Sequence, residues 1–382
     1  MPAPIRPLGQ LVSLGLVVAA VGLTPSSAEA CGWDWETYHA EAKSLPCVHD
    51  ALLGYWPKHD PAWHETRLAA ADQALRWVPG WTEGLDAKGL SLLHLGRLEE
   101  AEAVARQRFA IAPDAYASHA NLGTVLTFTG DYAEALVHVD AAMAIEPEAH
   151  FGREKYHRAL VDFLARVADD PGLASRENFL GLTLEPRQRT HGSRAQFDAL
   201  GLEVQAFDAL VAMLTVYGAD GVAEIYLSLG ELLAVYGHPR LAYTAYRQAR
   251  GLDHPRSDEL RGWMRKIDAR LEHDRRVAVG RGRFAYRGIS ERYTTTTRKA
   301  REFVEDWHAW EREQLDAGLA IWTEAGLDRV YAEMHARRRR CDAPRIITDA
   351  ATARGDGSDE PEVGADEGRD VDVDTEPSAG RP

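Results

Sequence analysis

Four histidines lie close together near the start of the chain, His39, His49, His59 and His64, with Asp50, Asp60 and Glu65 beside them. Imidazole and carboxylate at this density are the ingredients of acid–base catalysis or of a metal centre. His64-Glu65-Thr66-Arg67-Leu68 opens the His-Glu-x-x-His pattern, in which two imidazoles one helical turn apart share a zinc ion. Leu68 stands where the second imidazole is needed, so the pattern is incomplete. The cluster reads as surface histidines, with a scattered metal site as the alternative.

Other candidate chemistry is thin. Gly280-Arg281-Gly282 lacks the third glycine of a dinucleotide loop and follows no strand, and there is no G-x-S-x-G and no phosphate loop. Cys31, Cys47 and Cys341 form no C-x-x-C, which leaves redox pairs and cysteine-rich zinc sites unsupported. In an oxidising compartment Cys31 and Cys47 could pair; otherwise they are two thiols. Trp33, Trp35, Trp56, Trp63, Trp77 and Trp81 crowd one stretch. Exposed rings there would suit stacking on sugars, whereas packing is the commoner use of Trp. No catalytic residue, metal or cofactor is assigned.

The ends of the chain bear on where it works. Arg6, the apolar run from Leu8 to Leu23 and Ala28-Glu29-Ala30 have the order of a secretory signal peptide, so residues 1–30 are expected to be removed and the protein exported, to a periplasmic or extracellular location. Cleavage after Ala30 would leave Cys31 first, and an outer-membrane lipoprotein is the alternative. No other stretch is apolar for the roughly 20 residues that a membrane helix needs. Residues 341–382 hold twelve Asp or Glu against four Arg, −8 of the net −15. Past Ile347 they carry no aromatic residue and no Leu, Ile or Phe, so this acidic tail is expected to be disordered. An acidic chain without a basic stripe argues against a nucleic-acid partner. The four arginines at 337–340 read as the solvated end of a helix.

The elements that would carry any site are helical and repeated. Thr82–Ala115 and Tyr116–Ala149 align end to end without a gap: Gly89 on Gly123, Leu92 on Leu126, Gly96 on Gly130, Ala101 on Ala135 and Pro113 on Pro147. The small residues let one helix approach the next. Gly96 and Gly130 suit a left-handed helix end, and Pro113 and Pro147 stop the second helix. Apolar residues recur at three and four between these points, as amphipathic helices require. Weaker copies flank the pair. Ala71, Ala74 and Pro79 lie upstream, His150–Ala165 reads as a further first helix, and 170–195 as a loop. A later copy from Ala223 places Tyr226, Leu229, Gly230, Ala242, Tyr246 and Ala249 at packing positions, preceded by a helix at 202–217 and followed by one over Ser257–Glu272. Residues 280–293 read as a linker. Arg298–Trp322 reads as an amphipathic helix, with Phe303, Trp307, Trp310, Leu315 and Leu319 covering the end of the array.

The two central segments resemble the tetratricopeptide-repeat (TPR) family, in which a helix–turn–helix unit recurs at the period that separates Thr82 from Tyr116. Cys31–Thr37 and His150–Tyr156 look like the corresponding blocks of exported bacterial TPR proteins without an assigned activity. The resemblance implies an all-α solenoid with a concave groove lined by first helices. The expected organisation is a Trp/His-rich cap at 31–65, an array at 66–165, a loop-rich connection at 166–201, a second TPR-like unit with its capping helix at 202–274, and C-terminal amphipathic helices at 275–340. On this sequence the groove maps to Glu83, Asp86, Leu90, Leu93 and His94, then Ala117, Ala120, Asn121, Thr124, Thr127 and Phe128. Asn121 matches the asparagine of the carboxylate clamp found in some TPR domains. Asp86 and Leu90 depart from its Lys and Asn, so a neutral or basic, partly apolar peptide suits this groove better.

The functional expectations are a non-catalytic cell-envelope scaffold holding a protein or peptide partner in the groove, an envelope enzyme or ligand- or metal-binding protein whose site lies in 31–65 or 275–340, or an envelope structural part with no groove ligand.

Overall fold

A computed structural model describes Asp34, Glu36, Thr37, Ala40, residues 45–182, Leu202, and residues 205–278 and 289–337. The expected signal peptide, His39, Trp33, Trp35, Cys31, Cys341, Gly280, Gly282 and the acidic tail lie outside the described residues. Fourteen helices and no strand occur among the described residues. They are α1 (Val48–Leu53), α2 (Pro61–Trp77), α3 (Thr82–His94), α4 (Leu98–Ile111), α5 (Tyr116–Thr129), α6 (Tyr132–Ile145), α7 (Ala149–Gly152, a single turn), α8 (Glu154–Asp169), α9 (Gln205–Thr215), α10 (Ala223–Val235), α11 (Pro239–Gly251), α12 (Ser257–Ala278), α13 (Ile289–Asp316) and α14 (Glu324–Arg337).

The repeat register holds in the central pairs: the starts of α3 and α5, at Thr82 and Tyr116, lie one full period apart, as do those of α4 and α6, at Leu98 and Tyr132. The ends of α4 and α6, at Ile111 and Ile145, keep the same separation. Local chemistry sets these limits. At the end of α3, Gly96 takes φ 72°, its N–H donates to Leu93 O at 2.9 Å, and Arg97 N–H reaches back to Leu92 O at 2.9 Å. Those two bonds satisfy carbonyls that the helix end would leave unpaired. Both second helices stop just short of their prolines, Pro113 and Pro147. At Gly123 a side chain would meet Val139 Cγ2 at 3.0 Å and Ala135 O at 3.3 Å, so α5 and α6 approach there as closely as glycine permits. Gly89 differs, since a Cβ would lie 3.6 Å from Val104, an ordinary van der Waals distance.

Helices α2 to α6 pack in chain order and α8 follows on α6, while α10, α11 and α12 stack likewise, with α9 between α8 and α10. The ends then return to the beginning: α1 packs on α9, α11 and α13, and α13 packs on α2. Trp307 of α13 is fully buried, and Phe303 lies 6.0 Å from Tyr55 between ring centroids. The amphipathic C-terminal helix therefore covers the first helices and not the far end of the array. Its apolar stripe is buried against them, and burial of each large side chain is worth about 1.5–3 kcal/mol.

Two expectations about local structure need correction and a third needs refinement. The helix expected from His150 begins at Glu154, because His150 and Phe151 adopt left-handed φ values of 51° and 57°. The loop expected at 170–195 is irregular over 170–182 apart from the turn Leu173–Ser175, but its end is drawn inside: Asn178, Phe179, Leu180 and Leu182 are buried, and Asn178 Oδ1 accepts the N–H groups of Leu180 and Leu182 at 3.0 and 2.9 Å. The expected linker at 280–293 is overrun by α13, which starts at Ile289. No described helix is long and apolar enough to cross a membrane.

Candidate functional site

The groove residues do not form an open surface. Asp86, Leu90, Leu93, Ala120, Asn121 and Thr124 are buried; His94, Ala117, Thr127 and Phe128 are half-buried, and Glu83 is exposed. Asp86 is tied internally. Arg108 Nε donates to it at 3.1 Å and Asn121 Nδ2 at 2.6 Å, while Arg108 also bonds Ser118. Burial pushes the Asp86 carboxyl up to about 7, against the pull of Arg108 and Asn121. An aspartate expected to face a peptide is instead a polar tie between α3, α4 and α5. Its charge is tolerable in the interior only because a guanidinium and an amide meet it.

The chain's own N-terminal segment lies beside this face. Asp34 pairs with Arg67 of α2, and its Oδ1 accepts the N–H and hydroxyl of Thr37 at 2.9 and 3.0 Å. Glu36 lies 3.3 Å from His59 Nε2 and accepts the Tyr331 hydroxyl of α14 at 3.0 Å. The other ring nitrogen of His59 donates to Glu311 of α13 at 2.5 Å, and the second oxygen of Glu311 accepts the Asp60 N–H at 2.8 Å. His59 also stacks on Trp63 at 4.0 Å, 7° from parallel. An imidazolium between two carboxylates thus joins the N-terminal segment, the α1–α2 loop and the C-terminal helices.

The electrostatics follow from these contacts. Burial opposes charge on His59, yet Glu311 and Glu36 raise its pKa to about 10. Burial would raise the Glu36 carboxyl, but His59 and Arg67 hold it at about 2. His64 and His94 stack face to face at 4.6 Å, and His64 Nδ1 is buried without a hydrogen-bond partner. Burial, with the neighbouring positive groups, drives His64 well below the usual imidazole range; burial lowers His94 too, against the pull of Glu36 and Asp34. These residues line a cavity of ≈ 30 Å³ with Lys58, Trp56, Tyr331 and Thr215. That is room for about two water molecules.

The sequence cluster of histidines is therefore split. His59 and His64 meet in the interior, which corrects their reading as surface residues; His49 remains half exposed beside Asp50 at 3.4 Å, and Glu65 is exposed. Among the described residues no three His, Cys, Asp or Glu side chains converge on a metal-binding point. Glu311 and Tyr331 were not foreseen as partners of His59 and Glu36: each comes from the far end of the chain, and nothing local marks it. Cys47 is disulfide-bonded and its Sγ caps α1 through the Asp50 N–H at 3.5 Å.

The tryptophans divide as well. Trp56 and Trp63 are core residues, whereas Trp77 is 84% exposed and Trp81 41%. Trp77 is the last residue of α2, and Ile111 and Ile145 end α4 and α6, each one repeat further along the chain. Both isoleucines are exposed, at 44% and 46%, and Val78 is exposed beside Trp77. Large apolar side chains are thus left in water at equivalent helix ends, a row in the repeat register. Against protein-family models and curated proteins, the chain matches none.

Proposed function

We propose that this protein is an exported TPR scaffold that binds a partner protein and carries out no catalysis. The observation that supports it is the exposed row of Trp77, Ile111 and Ile145, with Val78 and Trp81 at its first end. Large apolar side chains held in water at register-equivalent positions are candidates for a protein-interaction site. The partner is better met on this row than on the groove positions, six of which are buried. Glu83, Asp114 and Glu148 are exposed close by in sequence to the row, and the chain carries a net charge of −15. A partner helix with an apolar stripe flanked by Lys or Arg has the complementary chemistry.

What weighs against the catalytic alternative is the cavity at His59. Both nitrogens of that ring are engaged, and the space beside it holds about two waters. In-cell crosslinking and capture of the full chain, wild type against a Trp77→Ala, Ile111→Ala, Ile145→Ala variant, tests the scaffold reading. These side chains are exposed, so thermal unfolding should change little. The expected result is loss of a specific crosslinked protein whose contact segment is basic and amphipathic. Capture of that protein at wild-type yield would refute the assignment of the row.

A further inference from the structure

Away from the cavity, two histidines on adjacent helices bring their ring nitrogens together. His119 of α5 and His138 of α6 hold their Nδ1 atoms 3.0 Å apart. Their rings are 5.1 Å apart between centroids and tilted by 43°. Phe109 of α4 presents its ring to both, at 5.1 and 5.0 Å, in edge-on arrangements. Glu134, one turn before His138, lies 3.9 Å from His138 Nε2 and is held in place by Arg106 through two bonds of 2.7 Å. None of this serves the apolar row or the His59 lock.

We propose that His119 and His138 form a two-imidazole site for a divalent cation of tetragonal preference, Cu²⁺ ahead of Ni²⁺, with water completing the coordination. The proximity of two ring nitrogens on adjacent helices carries the assignment, the rings turning so that both lone pairs meet one ion once the hydrogen between them is displaced. Two nitrogens 3.0 Å apart, each about 2.0–2.1 Å from a shared metal, subtend about 91–97° at it. That is the angle between neighbouring ligands in a square-planar or octahedral ion, and a tetrahedral one would need the nitrogens wider apart. Nitrogen donors in tetragonal geometry select Cu²⁺ or Ni²⁺, and Cu²⁺ binds the tighter of the two.

The surroundings fit a ligand pair. A ligating imidazole must give up any proton on the donor nitrogen, and burial with the adjacent His119 disfavours the charged form of His138. In the metal-free pair one Nδ1 carries the hydrogen that lies between the rings. Binding moves that hydrogen to Nε2 of the same ring by exchange with water, with no net proton released. An Nε2–H on His138 would face the Glu134 carboxylate, through a bridging water at this separation, the kind of outer partner that fixes a ligating imidazole. Phe109 walls the pair on its apolar side, and His119 is half exposed, which gives the ion a way in.

The test is a Cu²⁺ titration of the purified full chain, followed by electron paramagnetic resonance and by thermal unfolding. The expected result is one stoichiometric tetragonal Cu²⁺ signal with nitrogen splitting from two imidazoles. His138→Ala and His119→Gln should each weaken binding at least tenfold. Glutamine at 119 can still hydrogen-bond His138, so that variant should unfold at the wild-type temperature without metal and lose only the metal-dependent rise. A signal of unchanged strength and splitting in His119→Gln would overturn the site, because the copper would then sit on other histidines. Absence of a stoichiometric signal in the wild type would overturn it equally.

Discussion

His59 and Glu311, 252 positions apart, share a 2.5 Å hydrogen bond in the interior, and the opposite nitrogen of the same ring faces Glu36 at 3.3 Å. This carboxylate–imidazolium–carboxylate arrangement clamps the two ends of the described chain onto the first repeat. Removing one member leaves an uncompensated buried charge. His59→Ala or Glu311→Ala is expected to cost about 3–5 kcal/mol in chemical denaturation, well above the cost of an exposed ion pair. A loss below about 1 kcal/mol, the range of exposed pairs, would mean that the clamp is not structural.

The same clamp predicts a pH profile. The folded pKa of His59 is raised to about 10. Its stabilisation is therefore complete below about 6.5, the unfolded value, and is lost as pH rises through 10. Glu36 is held at about 2 in the folded state, so its contribution is present above its unfolded value and lost as pH falls through about 2. Unfolding free energy followed from pH 6.5 to 10 should decline in the wild type and decline less in His59→Asn. Parallel curves would exclude His59 as the group responsible.

His64 and His94 act in the opposite sense. Both are held below the ordinary imidazole value by burial, so the unfolded chain binds protons there that the folded chain refuses. Stability then falls as pH drops below about 6.5. His94→Leu, which removes one of the stacked imidazoles, is expected to reduce this acid sensitivity between pH 6.5 and 5, measured as the slope of the unfolding free energy.

Asp86 gives a test of groove against core. Its carboxyl is raised to about 7, so the folded state takes up a proton there that the unfolded state does not, and stability from this group rises as pH falls from 7 toward 4. Asp86→Lys would set an ammonium against Arg108 in the interior. A destabilisation of about 3–5 kcal/mol is expected. A soluble, normally stable variant would restore Asp86 to the surface role first expected of it.

Two glycines at equivalent repeat positions should respond differently. Gly123→Ala pushes a methyl group against Val139 and the Ala135 carbonyl, and overpacking of this kind costs about 1–3 kcal/mol. Gly89→Ala has room, and alanine is the better helix former by about 1 kcal/mol. Melting temperatures should fall for the first and hold or rise for the second.

The sequence alone determined the helical repeat. The regular spacing of small residues, the left-handed glycine at 96 and the prolines at 113 and 147 act over a few residues, so their effects are readable wherever they occur. The limits of α3, α4, α5 and α6 follow from them. The histidine-rich stretch was visible as titratable residues, but whether His59 lay in water or in the core was not, because its partners arrive from the N-terminal segment and from α13. Tertiary structure alone decided that Asp86 and Asn121 are bonded to each other and that the C-terminal helix covers α1 and α2. It also decided that Trp77, Ile111 and Ile145 are left in water. Helix formation depends on neighbours three and four residues away, whereas burial and charge pairing depend on where the whole path of the chain returns. No local pattern near residue 59 specifies a carboxylate 252 positions along the chain.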